Sequence, residues 1–262
     1  DALNANGDIA DDLKDPRYPL SPEAKDWVKA VSFASWNNED WALGLWHVML
    51  GQVLREQRIE IGNRWLDGRF HLLILAPSSS GKTLAADQAR RVLEGIHVTE
   101  ERMLDVRPIL EATTAALVGS AEHKKVRGQT VTELIPGLLE SADILHWDEA
   151  EAIFHETSWN VNLLRVLNQA MNPIGSPGNV IGKELRGATN LVRPKCSLLM
   201  TAVDFLTIPE AILRCGFYQR VGVMRKVLRP DQRRANRRRE KAIVDSGQRA
   251  ERELGATTEY LE

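Results

Sequence analysis

Cysteine is nearly absent from this 262-residue chain, with only Cys196 and Cys215 present. Two thiols make no framework, which excludes a disulfide-stapled mini-protein and fits reduced core thiols in a cytoplasmic protein. Long apolar runs are also missing. The longest, such as Leu72 to Pro77, fall far short of the ~18–20 residues a membrane span needs, so no membrane partner is expected. An excess of one charge is missing as well: 34 Lys and Arg stand against 36 Asp and Glu, a formal net charge of −2. What is present is 43% hydrophobic and 27% charged residues. That composition excludes chain-wide disorder and collagen-like sequence, and the length suits one large domain with small extensions. The chain opens on Asp1 rather than Met, as a processed or partial chain does, and no signal-peptide pattern follows.

The near-zero charge conceals an asymmetry. Residues 214–241 hold eleven Lys and Arg against two acids, so this segment carries +9 and the rest of the chain −11. An anionic partner is therefore compatible with a neutral total. Residues 1–22 are polar and acidic, with Pro16, Pro19 and Pro22, and read as a tail or linker. Ser21-Pro22-Glu23 has the form of a helix start. It opens a helical extension over 23–57, with helical patterns to about Trp36 and from Glu39 to Gln57. Five of the seven tryptophans lie in this first quarter (Trp27, Trp36, Trp41, Trp46, Trp65). Trp41, Leu45, Trp46 and Met49 have the spacing of a buried helix face, which favours core packing over stacking on nucleobases.

Between residues 58 and 228 the pattern changes. Apolar runs at Phe70–Ala76, Val106–Leu110, Asp143–Trp147 and Cys196–Ala202 alternate with helical stretches, the first of them running to about Leu93. Such alternation predicts an α/β fold, a three-layer αβα arrangement around a mainly parallel sheet. Residues 229–262 read as a basic C-terminal helical segment.

Ala76-Pro77-Ser78-Ser79-Ser80-Gly81-Lys82-Thr83 fits the phosphate-binding P-loop pattern at every position but the first, where Ala76 replaces glycine. An apolar strand runs into it and a helix starting at Leu84 leaves it. The chemistry needs this layout. Backbone N–H groups of the loop Pro77–Leu84, from Ser78 onward since proline has none, and the positive helix end face the phosphates, and Gly81 permits close approach. Lys82 neutralises the β/γ-phosphates, and Thr83 offers a hydroxyl to Mg²⁺. A second carboxylate site is required on a neighbouring strand. Asp148, 66 residues after Lys82, ends the apolar run from Asp143 and would hold the Mg²⁺ shell. Glu149 would orient and deprotonate the attacking water, which predicts hydrolysis rather than binding alone.

This order resembles that of P-loop ATPases, a resemblance that implies a further strand between the P-loop strand and the acidic strand, with a polar end that senses the γ-phosphate. Thr201 is the candidate, with Asp204 second. Further on, Arg220 is the candidate arginine finger for a neighbouring subunit's phosphates, with Arg214 as the alternative.

Taken together, the motif at 76–83, the acids at 148–149, Asn160, Asn162 and Asn168, a basic loop, the Thr201 strand and Gly216-Phe217-Tyr218-Gln219-Arg220 resemble the P-loop ATPases of phage and plasmid primase-helicase-like proteins, within the wider AAA+/RecA-like fold. Gln57–Ile61 and Ala112–Leu117 are similar to that family too, and the resemblance spans about residues 45–228. It implies an ATP- and Mg²⁺-dependent helicase-type motor acting on DNA in mobile-element replication. It also implies homo-oligomerisation as a ring or filament, a hexamer being one form, because the arginine acts across a subunit boundary. Single-stranded DNA is one form the nucleic acid would take. The alternative is an ATP-gated assembly or DNA-loading protein, or a defence ATPase, without strand separation.

Residues 178–187 with Leu191-Val192-Arg193 read as a hairpin just before the Thr201 strand. In helicases built on such rings a hairpin here holds DNA in the central channel, with Lys183 and Arg186 at the tip; a solvated hairpin with routine charges is the other reading. Arg229, Arg233, Arg234, Arg237, Arg238 and Lys241 fall on one broad helical face. Three readings fit that face: DNA, an acidic neighbouring protomer, or a solvated lid helix. The six histidines and two cysteines lack metal-ligand spacing, so Mg²⁺ is the only metal implied.

Overall fold

The computed structural model describes residues 20–34, 39–62, 64–78, 80–99, 102–126, 129–154, 158–185, 188–204 and 216–245. Along the chain these form α1 (Pro22–Ala34), α2 (Glu39–Val53), β1 (Arg58–Ile61), β2 (Arg64–Asp67), β3 (Leu72–Ala76), α3 (Lys82–Glu94), β4 (His97–Thr99), β5 (Arg102–Met103), β6 (Val106–Ile109) and α4 (Thr114–Val118). There follow β7 (Gly119–Val126), β8 (Gln129–Pro136), α5 (Leu138–Ser141), β9 (Ile144–Trp147), α6 (Ser158–Ala170), β10 (Ile181–Leu185), β11 (Ala188–Val192), β12 (Ser197–Val203), β13 (Gly222–Arg225) and α7 (Pro230–Asp245).

Five strands form the central sheet in the order β13-β3-β12-β9-β6, and every neighbouring pair is parallel. The apolar runs predicted as strands supply β3, β6, β9 and β12. All residues of β3 and β9 are buried, as inner strands covered on both faces require. The edge strands β6 and β13 are partly exposed. Alternation along β3 divides the core. Leu72, Ile74 and Ala76 pack with Trp27, Trp41, Leu45, Ala85 and Ala89 of α1–α3. Leu73 and Leu75 pack with Leu117, Leu139, Leu163 and Leu167 of α4–α6. The fold is mixed α/β, with helices on both faces of a parallel sheet.

The helical extension belongs to this core. Trp41, Leu45 and Met49 are buried. Trp46 is partly buried against Trp27, 5.8 Å between ring centroids, and the Trp27 indole N–H donates to the Ala42 carbonyl at 2.7 Å. Trp36 lies outside the described residues. The helix expected between Val106–Leu110 and Asp143 is mostly not a helix. Between the short α4 and α5 the chain forms a long antiparallel hairpin, Gly119 opposite Pro136 and Val126 opposite Gln129. Its residues 122–125 and 131–136 are exposed, so no apolar period marked it. The hairpin expected near 178–193 is present as β10–β11.

At the end of the sheet where the strands begin, Arg69 closes the structure. Its side chain is fully buried. Nη1 donates to the carbonyls of Ala170, Pro194 and Cys196 at 3.1, 3.4 and 3.2 Å, and Nη2 donates to Asn172 O at 2.6 Å. Nη2 also pairs with Asp67 Oδ2 at 2.9 Å, an oxygen that accepts the Ile174 N–H at 2.6 Å. Cys196 beside it is buried, and burial pushes its thiol up to about 12. Cys215 lies outside the described residues.

Arg69→Ala would strand the buried Asp67 carboxylate and four carbonyls. It should lower the unfolding free energy by about 3–5 kcal/mol, measured by urea denaturation. Next to it, burial and the Arg69 charge hold His71 well below the ordinary value of 6.5. Its Nδ1 accepts the Leu198 N–H at 3.0 Å, which only the unprotonated nitrogen can do. The unfolded chain takes up the proton more readily, so this stability is complete above pH 6.5 and declines as the pH falls below it. His71→Asn, which keeps an acceptor but does not titrate, should flatten that decline in urea titrations run across the same range.

Candidate functional site

At the opposite end of the sheet, where the strands finish, two distant motifs meet. Ala76 is the last residue of β3, fully buried and paired with Val203. Ordinary strand geometry is all that position asks for, which explains why alanine serves where the pattern has glycine. Gly81 precedes α3 with φ 84°, a left-handed conformation that glycine adopts at no steric cost. It turns the chain so that α3 begins at Lys82. No acid occupies the first turn of α3 and no side chain caps it, so the N–H groups at this helix end keep their affinity for an anion. Lys82 is buried to 9% exposure. Within the described residues its ammonium makes no ion pair. Of the loop residues, Ser79 lies outside those described; Pro77 is buried and Ser78 exposed.

Asp148 follows β9 and is half-buried. Its Oδ1 accepts the Thr83 hydroxyl at 3.4 Å, the Glu149 N–H at 3.1 Å and the buried Thr201 hydroxyl. Three donors on one oxygen fix the carboxylate. Thr201 lies on β12, which pairs with β3 on one side and β9 on the other. This is the interposed strand the sequence pattern calls for. Thr201, however, sits two residues short of the strand end and is fully buried. It acts on the site through Asp148, as a positioning residue. Asp204, the second choice, donates its N–H to Ala76 O at 3.2 Å and accepts Arg225 Nε at 2.9 Å.

Glu149 is exposed and has φ 52°, the one non-glycine residue with positive φ among those described. For a non-glycine residue that conformation costs about 1–3 kcal/mol. On β9, His146 is buried, neither ring nitrogen has a hydrogen-bond partner among the described residues, and burial lowers its pKa against the opposing pull of Asp148.

Arg220 is remote from these groups. It precedes β13, whose first residue pairs with the first of β3, so the length of β3, roughly 13–16 Å, separates it from the loop of its own chain. It is exposed, with Nε donating to Asn172 Oδ1 at 3.2 Å and Nη1 to Gly216 O at 2.9 Å. Arg214 lies outside the described residues. Lys183 is not at the hairpin tip: it stands mid-strand on β10, opposite Asn190. Arg186 lies outside the described residues. In α7, Arg233, Arg234, Arg237, Arg238 and Lys241 are exposed.

One feature had no sequence signal. A cavity of about 330 Å³ at the finishing end of β13 is lined by Asp40, Trp41, Leu43, Met224, Arg225 and Lys226. Lys226 Nζ stands 5.3 Å from the Trp41 ring centroid, and burial lowers its pKa against the opposing pull of Asp40. Its lining comes from α2 and from the far end of the chain, which only the fold brings together. Among the described residues no three His, Cys, Asp or Glu side chains gather to hold a metal unaided, and no helix is long and apolar enough to cross a membrane. No family model matches the chain, and no curated protein matches it.

Relieving the backbone at the acid pair should stabilise the fold. Glu149→Gly should raise the unfolding free energy by about 1 kcal/mol in denaturant titration, because glycine carries no left-handed penalty there.

Proposed function

We propose that the chain is a P-loop ATPase that hydrolyses Mg²⁺-ATP, of the helicase type, working as a ring of copies on DNA in mobile-element replication. The observation that carries this reading is the Thr83–Asp148 contact at 3.4 Å. It joins a strand–loop–helix turn to an acidic strand end 65 residues away, across an interposed strand. Phosphates would be held by the N–H groups of residues 78–84 and by Lys82, whose burial excludes competing water.

The donor set fits Mg²⁺. Thr83 Oγ1 and Asp148 are hard oxygen donors side by side, and Mg²⁺ takes one or two carboxylates together with phosphate oxygens rather than an all-protein cage. When bound, the cation neutralises charge on the phosphates. Glu149, exposed beside Asp148, is the group to orient and deprotonate water, and Thr201 keeps Asp148 in place for it. Arg220 lies too far from its own loop to stabilise the transferred phosphoryl group. The reading therefore assigns it to the neighbour's site, which requires oligomers. The cavity by Trp41 and Lys226 opens one strand from the loop and offers room for the nucleoside. DNA contact falls to the β10–β11 hairpin through Lys183 and Arg186.

ATP turnover measured with and without single-stranded DNA tests this reading. Lys82→Ala should abolish nucleotide binding. Glu149→Gln should bind ATP yet hydrolyse it roughly 10²–10⁴-fold more slowly. Hydrolysis that survives both substitutions would refute the assignment. Turnover without DNA stimulation or strand displacement would favour the ATP-gated loader instead.

A further inference from the structure

The β1–β2 hairpin is four residues on four and lies outside the central sheet. Every residue of β1 is exposed. A two-stranded hairpin of this size is at best marginal in water and needs a covered face to persist. Its register supplies an apolar one. Ile59 opposes Leu66, and Ile61, two positions on, opposes Arg64, so three apolar side chains share one side with that single arginine position. They are 59, 62 and 48% exposed.

The end of α2 lies next to the base of this hairpin and carries apolar side chains of its own. Leu50, Val53 and Leu54 follow the i, i+3, i+4 spacing of one helix face and are each about two-fifths exposed. Gly68, just past β2, abuts them: a Cβ there would fall 2.4 Å from the Leu54 carbonyl oxygen. The six side chains together expose on the order of 500 Å², more than half of the ~800 Å² that one partner contributes to a stable interface.

We propose that this face docks a second copy of the chain. Its place in the fold selects the occupant, and this step rests on the reading of Arg220 given above. Gln52, the second-last residue of α2, donates to Lys195 O at 3.3 Å and accepts the Ser197 hydroxyl at 2.9 Å. The face therefore lies at the end of the sheet where the strands begin. Arg220 lies at that end too, and the 76–83 loop at the other. An arginine serving a neighbour's loop needs this end of one copy to meet the far end of the next. Such a heterologous contact closes into a ring when the rotation permits. The apolar face, at the same end of the sheet as Arg220, supplies the desolvated area that one exposed guanidinium cannot.

The experiment is sedimentation velocity on the full chain, with and without a non-hydrolysable ATP analogue, for the wild type and for Ile59→Asp/Ile61→Asp. Leu50→Glu, on the helix end, probes the same face independently of the hairpin. Both sets of positions are exposed, and far-UV circular dichroism checks that the variants fold. The wild type should self-associate with concentration, and each variant should associate at least about tenfold more weakly. Both variants should still bind a fluorescent ATP analogue, because the loop lies at the other end. A wild type that stays monomeric overturns the proposal, even if hydrogen exchange finds the hairpin protected by another segment or partner. Variants that assemble as the wild type does also overturn it. Failure of the ATPase reading would look different: the wild type would bind no nucleotide, while assembly and its loss in the variants persisted.

Discussion

The buried guanidinium of Arg69 sets the position of the strand on which the candidate site depends. A charge removed from water costs several kcal/mol unless every donor is met, and here Asp67 and four carbonyls meet it. Those carbonyls belong to the end of α6 and to the approach to β12. Arg69 thus fixes where β12 enters the sheet between β3 and β9. Thr201, further along β12, then reaches Asp148 on the neighbouring strand. Asp148 in turn meets Thr83 at the head of α3. An interaction at one end of the sheet sets carboxylate geometry at the other, because strands of a close-packed sheet move as units.

The inner strands were legible because a parallel strand buried on both faces reads as an unbroken apolar run. Leu72–Ala76 and Ile144–Trp147 are such runs, buried throughout. The β7–β8 hairpin was not, since strands solvated on both sides carry no apolar period, and β1, though Ile59 and Ile61 alternate with Arg58 and Glu60, is too short for that alternation to stand out. The short edge strand β13, half-exposed along its length, was missed for the same reason. At the site, Lys82, Thr83 and Asp148 were legible because their chemistry imposes residue types at fixed places around a turn. Thr201 was identified, but for a strand end rather than for the buried support it gives Asp148. Burial depth within a strand is set by the register with its neighbours, which one strand's sequence does not contain. Arg69 left no trace at all, because its partners are backbone carbonyls and any residue supplies one.

The charge asymmetry acquires a location. The acids of the proposed site and the loop lie at the finishing end of the sheet. The cationic stretch begins with Arg220 at the starting end, crosses to Arg225 and Lys226 beside β3, and continues into the exposed arginines of α7. With helix positions one turn apart occupied by like charges, α7 is weakened by its own repulsion. Any anionic surface that meets it therefore relieves a cost already present in the isolated chain.

The β7–β8 arm leaves the body and returns to it at one point, where Gly119 faces Pro136. All its pairings are between residues close in sequence. The central sheet is the reverse: β3 pairs with β12, Leu72 with Leu199, across half the chain. Loop closure of that length is slow, whereas a local hairpin closes early. The arm can therefore zip while the sheet is still open. Its length is also uncoupled from the sheet's assembly, so the chain can lengthen or shorten this projection without altering the order in which its core forms.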